Sequence, residues 1–415
     1  METRQCCIAG GGPAGLMLGY LLARAGVQVT VLEKHADFLR DFRGDTIHPS
    51  TLNILADLGL LERFLALPHQ EVSELTGEVY GEVVTMADFR HLPAARPFLV
   101  LVPQWDFLDF IADEARKLPT FTLRLGAKVV DVLQEAGRVT GVQVQEGERS
   151  YAIGAALVVG ADGRHTTVRE AAGLPSVDTG APIDVLWFRL PRSASDPART
   201  GGIIQPGAML VTLNRESYWQ CAFVIPKGSL ADLQAQGLAA FRERVAGTAP
   251  FLRDAVGTLH GWDDIKLLSV QISHLPHWWR EGLLCIGDAA HAMSPVGGVG
   301  INLAIQDAVA AANLLAAPLR AGRLTSAHLQ AVQRRRAWPA RVTQRVQVAV
   351  QNEVLSPVLA RSQQPSGVPL PVTLMQRLPL LRRLTARMIG IGVRPERVLH
   401  PDGEPARLQD RPTRM

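Results

Sequence analysis

The chain has 415 residues, 47% of them apolar, and a formal net charge of +4. That length exceeds one ordinary core and suits two or three interleaved domains. No run approaches the roughly 20 apolar residues of a membrane span, and no dense basic tract carries interleaved aromatics, which disfavours membrane-spanning and nucleic-acid-binding classes.

Residues 5–9 (Gln-Cys-Cys-Ile-Ala) read as a short buried strand, 16–25 as a helix and 27–32 as a parallel strand, together a βαβ unit. Between the first strand and the helix lies Gly10-Gly11-Gly12-Pro13-Ala14-Gly15. In such a turn the first glycine permits the bend. The second lets the backbone approach a pyrophosphate, and the third lets helix and strand pack closely. The helix start then offers free N–H groups and a positive dipole end to phosphate. Glu33 ends the second strand, where an acid accepts hydrogen bonds from ribose hydroxyls and disfavours a 2′-phosphate. Arg43, in Asp41-Phe42-Arg43-Gly44-Asp45, suits a phosphate-wrapping loop and equally a plain surface arginine.

Leucines 52, 55, 58, 61 and 65 predict a helix over 49–65, and residues 72–102 read as strands broken by turns. A helix over 105–118 follows, then short alternating strands to 159. The apolar strand 156–159 runs into Gly160-Ala161-Asp162-Gly163, where Asp162 is placed to cap a helix or to meet a ligand. Residues 180–275 form a β-rich stretch interrupted by a helix near 230–245. The strand 283–286 leads into Gly287-Asp288-Ala289-Ala290-His291, then into Pro295-Val296-Gly297-Gly298-Val299-Gly300-Ile301-Asn302 and a long apolar helix over 300–317. Glycines there let a flat ring approach the backbone, and the helix start stabilises negative charge near it. His291 reads as a histidine packed under a turn. Helices over 327–354 and 374–389, the second basic and amphipathic, complete the pattern, and the end from Arg394 on reads as polar and loosely held.

Met1-Glu2-Thr3-Arg4 leads straight into a strand, with no secretory pattern. Cys6, Cys7, Cys221 and Cys285 lie in apolar stretches without metal spacing and read as buried reduced thiols. Both points lead to a cytoplasmic expectation, with no metal.

The three glycine- and aspartate-bearing segments resemble the flavin-dependent aromatic hydroxylases of the para-hydroxybenzoate hydroxylase family, over about residues 5–355. The resemblance implies an α/β fold: a Rossmann-like FAD-binding domain (1–72, 98–175 and 276–355), an inserted, mainly antiparallel β-sheet substrate domain (73–97 and 176–275), and C-terminal helices (356–415). It implies FAD as cofactor and NADH or NADPH as a transient co-substrate. The implied reaction is hydroxylation of a small aromatic or polycyclic substrate with O2 through a flavin C4a-hydroperoxide, by a monomer or homodimer. Gly10, Gly12, Pro13, Ala14, Gly15, Glu33 and Lys34 match the ADP side. Arg43, Gln104 and Asp162 match the diphosphate side, Asp288 the ribityl acid, and Gly298, Gly300, Ile301 and Asn302 the ring-binding backbone. Val129 is expected at the cofactor too. Pro295 matches a proline whose carbonyl lies near the reacting edge of the substrate, the one catalytic assignment.

The family's usual benzoate-binding tyrosine and arginine set is missing. The substrate candidates are His48, Trp187, Arg189, Tyr218, Gln220 and Phe223, each also explicable as ordinary sheet packing. An alternative on the same scaffold is an FAD-dependent reductase of an isoprenoid or other lipid-like substrate, for which the basic C-terminal helix would lie on a membrane.

Overall fold

The computed structural model describes residues 2–39, 46–197, 200–360 and 370–399. Its central sheet runs Trp279–Arg280, Leu283–Cys285, Arg149–Gly160, Glu2–Ala9, Val29–Glu33, Phe121–Leu125. All neighbours pair in parallel except the first two. Parallel strands are covered on both faces, so they read as continuous apolar runs. Cys6, Cys7, Ile8 and Ala9 are accordingly buried. The Pro13–Arg24 and Val299–Arg320 helices pack together on this sheet. The second is apolar almost all round because most of it is buried in the core. By length and composition it would also suit a membrane, and among the described residues no other helix does. The strands Ala127–Glu135 and Arg138–Glu146 extend the lower half of Arg149–Gly160 as an antiparallel ribbon.

A second, seven-stranded sheet gathers Lys266–Leu268, Ile183–Pro191, Tyr218–Pro226, Ala208–Asn214, Gly201–Gln205, Glu74–Val79 and Glu82–Asp88, in that order. One face packs Leu186, Phe188, Trp219, Cys221 and Phe223 under the Leu238–Thr248 helix. The other buries Val185, Ala222 and Val224, with Trp187, Met209 and Val211, against Val296 and the end of the Ser326–Val350 helix.

Several sequence expectations are corrected. The helix over 49–65 is two, Pro49–Asp57 and Leu61–Leu65, parted at Gly59 with φ +70. The helix near 230–245 is likewise Leu230–Ala235 and Leu238–Thr248, parted at Gly237 with φ +89. A positive φ ends a right-handed helix, and glycine adopts it without strain. The segment 374–389 breaks at Leu378, extended as the residue before a proline tends to be, giving Leu370–Arg377 and Pro379–Gly390. Pro379–Gly390 seats Ala386 and Ile389 against Ala87, Phe89 and Leu99.

Residues 394–399 are not loosely held. Glu396 is buried and pairs with Arg336 at 3.2 Å and Arg335 at 2.7 Å, while Arg397 binds Asp57.

Candidate functional site

The parallel register decides what comes together. Ala9 pairs with Leu32 and Gly160, and Gly160 with Cys285. Beyond those level ends the backbone stitches the turns: Gly10 N–H to Leu32 O (2.8 Å), Ala161 N–H to Ala9 O (2.8 Å), Ile286 N–H to Gly160 O (3.0 Å). Segments 10–15, 33–34, 161–163 and 287–291 therefore share the carboxyl edge of one sheet, the ligand edge of open α/β folds.

Gly10 and Gly15 are fixed by contact. A Cβ on Gly10, at φ +104, would stand 2.3 Å from Ala161 O, and one on Gly15 would stand 1.9 Å from Gly10 O. Gly12 is different, with nothing within 4 Å of where its Cβ would be. It is the N-cap of the Pro13–Arg24 helix, and no side chain caps that end. Orphan N–H groups there, beside open space, fit a diphosphate. Ala14 is buried behind the turn, its Cβ 3.3 Å from where a Gly287 Cβ would lie.

Glu33 Oε2 accepts from Gly11 N–H at 2.8 Å and Oε1 from His35 N–H at 3.1 Å, so the acid also braces the turn. Lys34 is exposed just beyond it. Gln104 opens the Gln104–Arg116 helix, which lies against the Pro13–Arg24 helix. Val129 is buried on the Ala127–Glu135 strand, just past the end of Phe121–Leu125. Arg43 lies outside the described residues.

The two oxygens of Asp162 differ. Its Oδ2 accepts from Val168 N–H at 3.2 Å, at the start of the Thr167–Ala171 helix that Thr166 caps. Its Oδ1 is buried with no hydrogen-bond partner. Burial pushes its carboxyl above the usual range, partly offset by bonds from Thr166 and the backbone of Val168. An orphaned buried acceptor at a ligand edge is a place for a ligand donor or an ordered water. Asp288 is exposed at the same edge.

His291 packs against Trp278 at 5.0 Å and bonds Asp307 through Nε2 at 2.5 Å. Asp307 also accepts from Gly287 N–H at 3.1 Å and from Arg336 Nε at 2.9 Å. Burial would raise the Asp307 carboxyl, but His291 and Arg336 hold it below the usual range. The histidine is thus a strut under the turn, as expected. Asp307 and Arg336, which anchor that turn, were missed, because residues 287, 307 and 336 show no relation in sequence.

Pro295 begins a tight turn in which its carbonyl accepts from Gly298 N–H at 3.0 Å. The Val299–Arg320 helix then starts without a side-chain cap. Nothing lies within 4 Å of a Cβ placed on Gly300. Ile301 and Asn302 are buried in the first turn. The Asn302 side chain accepts from His48 N–H and Thr51 Oγ1 at 2.8 Å each, and donates to Thr46 O at 2.9 Å. It ties the 46–51 segment to the helix start. His48 is buried, and its Nδ1 donates to Ile389 O at 2.7 Å. Its Nε2 is then an acceptor, without a partner, close to Gly298. Burial lowers its pKa to about 4, against the bond to Ile389, so the ring stays neutral.

The remaining substrate candidates divide. Trp187 pairs with Ala222, Arg189 with Gln220 and Pro191 with Tyr218, so Trp187, Arg189, Gln220 and Tyr218 share the sheet face turned toward Val296. The Arg189 guanidinium lies 5.0 Å over the Tyr218 ring. Phe223 pairs with Leu186 on the opposite face and meets Phe241 edge-on at 5.6 Å. Its grouping with the other candidates is therefore corrected: alternation turns it into the helix-covered core.

Among the described residues no cluster of metal-ligating side chains occurs. A family model described as FAD binding domain matches residues 3–346. The chain is 35% identical over 407 residues to 6-methylpretetramide 4-monooxygenase of Streptomyces rimosus, covering 96% of each. It is 30% identical over 316 residues to 12-dehydrotetracycline 5-monooxygenase/anhydrotetracycline 6-monooxygenase of Streptomyces rimosus subsp. rimosus, covering 73% of this chain and 60% of that one. The solved OxyS anhydrotetracycline hydroxylase from Streptomyces rimosus superposes with a TM-score of 0.74 at 24% identity, covering 96% of this chain and 79% of that one, a likeness of fold. The chain belongs to the FAD-binding monooxygenase family and is an FAD-dependent oxidoreductase.

Proposed function

We propose that this enzyme hydroxylates a polycyclic aromatic compound with O2 and NADH or NADPH, and that the residues at the parallel-sheet edge hold its FAD. The observation that carries the assignment of the edge is the register that levels Ala9, Gly160 and Cys285, and so gathers three distant segments. In this reading Gly12, Pro13, Ala14 and the free N–H groups of their helix take the diphosphate, with Gln104 and Asp162 beside it. Glu33 takes the adenosine ribose, with Lys34 and Val129 near the adenosine end. Asp288 takes the ribityl chain, and the backbone of Gly298, Gly300, Ile301 and Asn302 meets the ring.

FAD supplies hydride acceptance and oxygen activation when bound. The chain supplies the rest. The positive end of the Val299–Arg320 helix favours negative charge beside it. The Pro295 carbonyl borders the reacting edge of the substrate. Trp187, Arg189, Tyr218 and Gln220 offer an aromatic face with one cation and one amide, and covering by the sheet excludes water from the reaction. The presence of two separate sheets supports a division into a flavin domain, an inserted substrate sheet (73–97 and 176–275) and C-terminal helices. All four cysteines are buried and unpaired, which supports a reducing, cytoplasmic setting.

The relatives named above are monooxygenases, which favours oxygenation over lipid reduction. The test is NAD(P)H oxidation by the purified yellow protein with 6-methylpretetramide and related polycyclic phenols. The expected result is oxidation stimulated by at least one of them, with oxygen uptake and a product heavier by one oxygen atom. Stimulated oxidation that yields a saturated product without oxygen uptake would overturn it.

A further inference from the structure

The turn that carries Pro295 has few bonds of its own, Gly298 N–H to Pro295 O at 3.0 Å and Val296 N–H to Ser294 Oγ at 3.2 Å. Pro295 has no N–H, and Gly297 and Gly298 follow at φ +78 and +62, where glycine is freest. Behind the turn stand three glutamines: 344 and 347 on the Ser326–Val350 helix, and 351 opening the π turn Gln351–Leu355 that continues it. Spacings of three and four place them on one helix face, and all three are buried. Gln344 Nε2 donates to Ser273 O and Ala292 O, both at 2.9 Å. Gln347 Nε2 donates to Ser294 O at 2.9 Å and Val296 O at 2.8 Å, one carbonyl on each side of Pro295. Gln351 Nε2 donates to Ser294 Oγ at 2.7 Å.

The bonding is costly. Gln347 Oε1 and Gln351 Oε1 are buried with no partner. Buried acceptors are rarely left so, and each such exception calls for a reason. Here the reason is the donors: leucine would strand the carbonyls, glutamate would oppose them with oxygen, and lysine would bury a charge. The π turn, a distortion common at functional sites, begins at Gln351.

We infer that Gln344, Gln347 and Gln351 are positioning residues for flavin reduction, a ladder that fixes the Pro295 turn and the start of the Val299–Arg320 helix where the flavin would lie. This rests on the reading that the turn borders the flavin ring. A loosened helix start would favour less the negative charge gained on flavin reduction.

The test compares Gln347→Leu and Gln347→Glu with wild type and with Gln330→Leu, an exposed site on the same helix. The readouts are FAD content, flavin midpoint potential, and the rate of flavin reduction by NADPH and NADH. The ladder predicts FAD retained, a more negative potential, and reduction slowed about tenfold or more, as small misplacements do. Gln330→Leu should match wild type. If Gln347→Leu does not fold, Gln351→Leu, which loses a single bond to Ser294 Oγ, carries the same readouts. A folded variant with FAD bound and an unchanged potential and rate would overturn the ladder alone. A wild type that binds no FAD would overturn the reading beneath it.

Discussion

In the proposed reading the two sheets would meet ligands by different means. At the edge of the parallel sheet most of the contact surface is backbone: a glycine turn, two helix starts without side-chain caps, and strand ends held level by register. On the antiparallel sheet the candidates are side chains, Trp187, Arg189, Gln220 and Tyr218, projecting from one face. Backbone approach demands particular residues at particular spacings, so it leaves a signature. A sheet face accepts many side chains, and alternation alone does not say which face the ligand meets.

The sharpest break in that comparison lies within one turn. Gly15→Ala would drive a methyl group into Gly10 O, so we expect a loss of at least about 3–5 kcal/mol, or no folded protein. Gly12→Ala, facing open space at φ −77, should leave the FAD-free protein within about 1 kcal/mol of wild type yet weaken FAD binding by about tenfold or more. Urea unfolding and flavin titration separate the two. A Gly12→Ala protein with undiminished FAD affinity would show that this turn is not the phosphate cradle.

Below the edge, Asp307→Ala would leave the fully buried Arg336 with one carboxylate fewer and His291 with none, a cost of about 3–5 kcal/mol. On the antiparallel sheet, Phe223→Ala should cost a similar 3–5 kcal/mol by opening a cavity against Phe241. The two should differ in reach. Asp307→Ala also slackens the Gly287 turn and should lower flavin content, whereas Phe223→Ala should leave bound flavin unchanged in the protein that folds.

Acid gives a third, smaller contrast. Unfolded chains protonate His48 near pH 6.5, and the folded protein does so only near about 4. Between those values the unfolded state carries the extra proton, so stability contributed by the neutral ring falls as the pH drops from 6.5 toward 4. The full loss is about 3 kcal/mol. Melting curves across this window should show His48→Phe to be less acid-sensitive than wild type. Identical pH slopes would mean that the ring does not remain neutral in the folded state.

How much was legible follows the same divide. Gly10, Gly12, Gly15, Glu33 and Asp162 announced themselves because strand, turn and helix start must follow in that order. The apolar stretch at 300–317 was visible by composition. Breaks at Gly59 and Gly237 were missed because apolar spacing continued across them, although the glycines were in view. The ties among His291, Asp307, Arg336 and Glu396 bridge 16, 29 and 60 residues and follow no local period. Residues 394–399 looked like a solvated end for the same reason: Glu396 and Arg397 are polar, and their partners, Arg335, Arg336 and Asp57, are set by the fold. A helix with glutamines at 344, 347 and 351 carried a usable pattern, but only the carbonyls opposite give it meaning.

The smallest expected effect tests the side-chain half of the comparison directly. Arg189 is exposed, and its guanidinium over Tyr218 contributes only about 0.5–1 kcal/mol to stability. Arg189→Ala should therefore fold, bind FAD normally and melt within a few degrees of wild type. If its face meets the substrate, the KM for an accepted polycyclic phenol should rise while kcat changes little, the pattern of binding lost equally from ground and transition states. Phe223→Ala, assayed at equal concentrations of folded protein, should show no such change. An Arg189→Ala enzyme with wild-type KM beside a Phe223→Ala enzyme with a raised one would mean that the substrate reaches the sheet from its other side.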